Sequence, residues 1–250
     1  MLKIFETLGQ LILLTGEIFT CLFTRKPELR AWVIQFYYLG VNSLSIACIT
    51  ALFTGMVLAL QAAFALSSFG AELFVGDLVS LSIVRELGPV LTALLVGGRV
   101  GAGITAELGS MKITQQLDAM RAMATNPVYK LVIPRLAACV LCLPILTIIA
   151  NFLGVMGGMF LAAYELNIEG PFYLARVQQA LDLGDIFSGI GKAVFFGFFI
   201  GIISCNNGMR VEGGADGVGM ATTQTVVTAS IVILISDFFL TKFFFMLGGF

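Results

Sequence analysis

Apolar residues in this chain gather into five long runs, at about 36–66, 78–109, 131–164, 186–206 and 222–247, with short polar stretches between them. A helix crossing a bilayer needs about 20 mostly apolar residues, so each run predicts a membrane-spanning helix. Pro89, Pro134 and Pro144 lie within the longer runs and predict bends there. Residues 1–24 follow another pattern. Ile4, Phe5, Leu8, Leu11, Ile12, Ile18, Phe19 and Leu22 recur at helical spacing, with Lys3, Glu6, Gln10 and Glu17 on the other face. That spacing predicts an amphipathic helix lying in the membrane interface. The fold class expected is therefore an all-α membrane protein: an interfacial helix and five spans in one membrane domain covering residues 1–250.

Composition agrees with lipid as the main solvent. Of the 250 residues, 58% are hydrophobic and only 12% charged, and mean hydropathy is +1.00. A soluble domain carries roughly a quarter of its residues as charges. A net charge of −1 gives nucleic acid nothing to bind. The chain has no histidine, which removes the commonest general base and metal ligand. Cys139 and Cys142 form a C-x-x-C inside an apolar run, without a second pair, and read as small buried residues. No metal site and no bound cofactor are expected.

Basic residues set the orientation. With the N-terminus inside, Lys3, Arg25, Lys26, Arg30, Lys112, Arg121, Lys130, Arg135 and Arg210 fall on or near the cytoplasmic side. Arg85, Arg176, Lys192 and Lys242 fall on or near the other side, with Arg99 in mid-span. Nine against four satisfies the positive-inside rule and puts the C-terminus outside.

The second run, Ser80 to Lys112, holds Arg85, Glu86, Arg99 and Glu107, each costly at bilayer depth unless paired or facing water. These four, with Gln61 in the first run and Asp237 in the fifth, are the candidates for a polar substrate pathway. Arg85 and Glu86 lie just before Pro89, where a bent helix can open a cavity. The loop that follows, KITQQLDAMRAMATNP, is helical in character: Thr114 can cap its start, and Asn126-Pro127 ends it. Leu117, Met120 and Ala124 share one face, with Asp118 and Arg121 beside it, an apolar surface suited to lipid or to a groove on another protein. The second cytoplasmic loop, Asn206 to Thr223, is rich in glycine but has no phosphate-binding G-x-x-x-x-G-K-[ST]. It reads as a structured turn.

The blocks RELGPVLTALLVGGRVGAGITAELGSMKITQQLDAMRAM, NPVYKLVIPRLAA and GMRVEGGADGVGMATTQTVV…DFFLT resemble, in order and over nearly the whole chain, the MlaE/YrbE family of ABC permeases. The resemblance implies a homodimeric permease that moves phospholipids between the inner membrane and the cell envelope. It also implies two copies of a cytoplasmic ATPase, which hold ATP and Mg2+, and a periplasmic MCE-domain protein. Residues 113–124 would be the coupling helix entering the ATPase, through Thr114, Gln115, Leu117, Asp118, Met120 and Arg121. Arg85 and Glu86 match polar residues near the family's lipid cavity. Gln115 stands where the family commonly has an acid, and Met220 where it often has a base, which removes any charged contact from those positions. An ion-coupled secondary transporter, with Glu86, Glu107 or Asp237 as its coupling carboxylate, is the alternative reading. A non-transporting scaffold is a third.

Overall fold

A computed structural model of the chain describes residues 2–24 and 29–248, with side chains described for most of them. Arg25 and Lys26 of the basic cluster, and several side chains of the N-terminal amphipathic face, lie outside the described residues. Among the described residues every regular element is a helix. The N-terminal helix runs Leu2–Thr24. Five helical stretches long and apolar enough to cross a membrane follow: Arg30–Ser67, Glu72–Ile113, Val128–Glu165, Leu183–Met209 and Gly214–Met246.

Most of these extend a few residues beyond the apolar runs, because helical hydrogen bonding continues into polar flanks. The largest extension is in the fifth span. Its first ten residues, GADGVGMATT, are helical from Gly214 onward, so the glycine-rich second loop is mostly helix. Only the bend before it departs, with Gly213 at φ +88° and Gly214 at φ +71°, values that favour glycine. A further helix, Gly170–Ala180, was hidden from hydropathy by its polar composition. Pro171 stands in its first turn, where the missing N–H costs nothing, and Tyr173 and Val177, one turn apart, face inward.

The chain divides into two compact units, and every span contributes to both. One comprises Met1–Ser43, Val96–Cys142 and Phe195–Leu234. In it the Leu14 and Ile18 side chains of the N-terminal helix are buried while Ile12 and Leu13 are exposed, as an interfacial helix requires. Thr105 donates to the Ser204 carbonyl at 3.1 Å and lies 3.0 Å from the Thr225 hydroxyl, tying the second, fourth and fifth spans together. The other unit comprises Leu44–Leu95, Leu143–Val194 and Ile235–Phe250. Ala59, Ala62, Val75, Val79, Ala162 and Tyr173 form its apolar cluster. Here the first and third spans approach backbone to backbone. A Cβ on Gly55 would sit 1.9 Å from the Gly154 carbonyl oxygen, and one on Gly157 2.3 Å from that of Leu52. Glycine is required at both points so that dispersion contacts can form between helices that gain nothing from the hydrophobic effect in lipid.

Candidate functional site

The site begins with a proline. Pro89 has no N–H and would clash with the carbonyl four residues earlier, that of Arg85. The second span responds with a wider π turn over Ile83–Leu87, in which the Gly88 N–H bonds back to the Ile83 carbonyl. Arg85 and Glu86 lie on that turn. The Arg85 carbonyl, freed by Pro89, accepts from the Lys192 ammonium of the fourth span at 3.0 Å. The same ammonium lies 2.6 Å from Glu86 Oε2 and 3.2 Å from Asp237 Oδ1 of the fifth span. Beside it, Arg85 Nε pairs with Asp185 Oδ1 at 2.6 Å, and the other oxygen of Asp185 accepts from the Asp182 N–H at 3.1 Å. Thr241 donates to the Asp237 carbonyl at 2.8 Å, and its hydroxyl lies 3.3 Å from Glu86.

Two cations and three carboxylates thus share one network with a formal charge of −1. The side chains of Lys192 and Asp185 are 2% and 3% exposed, whereas Glu86 is 38% and Arg85 29% exposed. The first pair fixes the network from within, and the second presents it. Glu86 and Arg85 open on a cavity of about 190 Å³, whose lining also includes Asp185, Lys192 and Thr241 and the aromatic Phe187, Phe244 and Phe245. Arg85 stands 6.0 Å from the centre of the Phe245 ring. Charge on one wall and aromatic surface on the others suits a molecule with a polar head and an apolar body.

The structure brings together only three of the six pathway candidates: Arg85, Glu86 and Asp237. Gln61 lines a different hollow on the first span, with Thr50, Thr54 and Leu87. Arg99 and Glu107 line a third, in the other unit. Glu107 there pairs at 2.8 Å with Arg135, whose side chain is 4% exposed. Lys192, Asp185 and Thr241 were missed as site residues. Charges interrupting the apolar start of the fourth span are the available signal, and the basic-residue count places Lys192 on or near the outer side without giving it a role.

The expected coupling segment is corrected in detail. The helix is shorter, Gln116–Ala122, and Gln115, in the left-handed conformation at φ +58°, heads it without a side-chain cap. Thr114 does not cap it, because its hydroxyl donates backward to the Ser110 carbonyl at 2.8 Å. Leu117 is 1% exposed, held inside this chain and out of reach of a partner. Ala124, at φ +56°, lies beyond the helix, and Met120 is half-buried. The most exposed large apolar side chain of the segment is Met123, at 70%, with Ile113 at 36%. Asp118 is exposed and bridged to Lys112 at 3.1 Å and Arg121 at 3.4 Å. Among the described residues no group of His, Cys, Asp or Glu could hold a metal.

The family described as Permease MlaE matches residues 32–243. A probable ABC transporter permease protein of Rickettsia typhi is 46% identical over 222 residues, 88% of this chain and 86% of its own length. A protein of the same description from Synechocystis is 41% identical over 245 residues, covering 98% of this chain and 93% of its own. The intermembrane phospholipid transport system permease protein MlaE of Haemophilus influenzae is 40% identical over 228 residues, 89% of this chain and 87% of its own. The family match takes in nearly all of the five spans, the charged network and the connecting helix, and the chain belongs to the MlaE permease family.

Proposed function

We propose that this chain is the membrane-spanning subunit of an ABC transporter that moves phospholipids between the inner membrane and the cell envelope, and so helps to maintain outer-membrane lipid asymmetry. It is a transport component, and hydrolysis belongs to a separate ATPase that holds ATP and Mg2+. The observation that carries the substrate side of this reading is the cavity beside Arg85 and Glu86. A charged wall backed by the buried Lys192 and Asp185 faces aromatic walls, a division of polarity that matches a phospholipid. Such a network is expensive in a membrane unless it is used or fully paired. The Haemophilus relative, the permease protein of an intermembrane phospholipid transport system, supports the same substrate.

The working assembly in this reading is a homodimer. Its N-termini are cytoplasmic and its C-termini periplasmic. ATPase subunits bind below, at the Gln116–Ala122 helix, and a periplasmic MCE-domain protein binds above. The basic asymmetry of the sequence supports that orientation.

The test is reconstitution of permease with its ATPase in liposomes holding a fluorescent phospholipid. ATP should drive lipid movement in the wild type, and Lys192→Met should stop it while Lys192→Arg retains part. Movement that ignores ATP and collapses with a proton or sodium gradient would replace this reading with the ion-coupled one.

A further inference from the structure

The hollow around Arg99 belongs to neither the Arg85 cavity nor the connecting helix. It measures about 180 Å³, and Tyr38, Asn42, Ser43, Arg99 and Glu107 are among the residues lining it. Arg99 lies on the π turn Gly97–Gly101 and is exposed, although it stands inside a membrane span. One of its terminal nitrogens, Nη1, donates to the Asn42 carbonyl. A guanidinium has five N–H donors, and the others have no partner among the described residues. The nearby carboxylate of Glu107 pairs through Oε1 with Arg135 at 2.8 Å and forms no ion pair with Arg99 among the described residues. The Ser43 hydroxyl donates to the Leu39 carbonyl at 2.8 Å and accepts nothing from Arg99.

Lipid tails cannot satisfy these donors, so whatever covers Arg99 must bring acceptor oxygens. Tyr38 lines the hollow and is 64% exposed, and its neighbour in sequence, Tyr37, is 62% exposed. Tyrosine favours the level of the lipid headgroups, where its ring is in an apolar layer and its hydroxyl in a polar one. The acceptor found at that level is the phosphodiester, which a guanidinium recognises through paired N–H donors. We propose that the Arg99 hollow is a second phospholipid-binding station, holding the phosphodiester of a membrane lipid separately from the Arg85 cavity. The proposal rests on the reading of the chain as a phospholipid permease.

The test places a photoreactive benzoylphenylalanine at Tyr38 in otherwise intact permease, in bilayers containing radiolabelled phosphatidylglycerol or diacylglycerol, without ATP. A phosphatidylglycerol adduct is expected, with little from diacylglycerol. Arg99→Gln should lower it about tenfold, the scale of one charge-assisted bond, and Arg99→Lys should retain much of it. The same probe at the exposed Phe160 reports folding and should label equally in all variants. Equal labelling by both lipids, labelling indifferent to Arg99→Gln, or cross-linking to a second copy in place of lipid would each overturn the station. Failure of the permease reading would appear elsewhere, as no ATP-driven lipid movement by wild-type protein, an assay that the ATP-free cross-link does not enter.

Discussion

Lys192 shows how much one side chain can settle. Its ammonium makes three contacts: hydrogen bonds to the carbonyl released by Pro89 and to the Glu86 carboxylate, and an ion pair with Asp237. Lys192→Met removes all three contacts and leaves the partly exposed Glu86 and Asp237 carboxylates without their cation, a loss with an upper bound of about 3–5 kcal/mol, the cost of breaking a fully buried pair. Thermal unfolding in detergent should show a large loss. Adding Glu86→Gln should restore part of it without restoring transport, since the charge presented to the cavity is then gone. Tyr173 behaves in the opposite way. Its hydroxyl is buried without a hydrogen-bond partner among the described residues, and burial pushes its phenol above the usual tyrosine value. The folded state therefore favours the neutral phenol. Stability from this group is intact below the unfolded value of about 10 and falls as pH rises past it. Tyr173→Phe should leave neutral-pH stability nearly unchanged, since no bond is lost, and should flatten the alkaline fall measured by thermal unfolding between pH 9 and pH 11.

At the scale of elements, the Gln116–Ala122 helix presents two separable surfaces. Leu117 points inward and seats the helix, while Met123, just beyond its end, is exposed. Leu117→Ala should lower permease stability by about 2–5 kcal/mol, as core truncations do. Met123→Asp should leave the melting temperature unchanged. If the ATPase docks here, that change should weaken its binding about tenfold or more, read by co-purification. A Met123→Asp permease that retains a full complement of ATPase would move the contact elsewhere. The far end of this segment is anchored too. Asn126 caps the next helix through the Val128 N–H at 2.8 Å and reaches Glu17 of the N-terminal helix at 3.1 Å.

For the whole molecule the question is orientation. Cysteine labels at Thr125 and at the exposed Glu212 should react from the cytoplasm, and a label at the exposed Glu169 from the periplasm, in a background lacking native cysteines. Thr125 and Glu212 lie between the second and third and between the fourth and fifth spans, and Glu169 lies between the third and fourth. An odd number of spans therefore separates either of the first two sites from the third. Reaction of all three from one side would break the five-span path.

The five spans, the interfacial helix and the family were legible in the sequence because they rest on local properties. Apolar length, helical period and residue order need no partner to be read. Arg85 and Glu86 stood out for a related reason, since charge in an apolar run is conspicuous wherever it occurs. Their grouping was not legible. Lys192 lies 107 positions from Arg85 and Thr241 155 from Glu86, and nothing local records which distant side chain meets a carbonyl freed by proline. For the same reason Gln61 and Arg99 looked equivalent to Arg85 and were placed by the fold in other hollows. Leu117, expected on an outward apolar face, is buried in its own chain, and the exposed Met123 was not among the residues that spacing picked out. Helical spacing shows that a face is apolar, but whether that face meets its own chain or a partner depends on packing that only the tertiary structure decides.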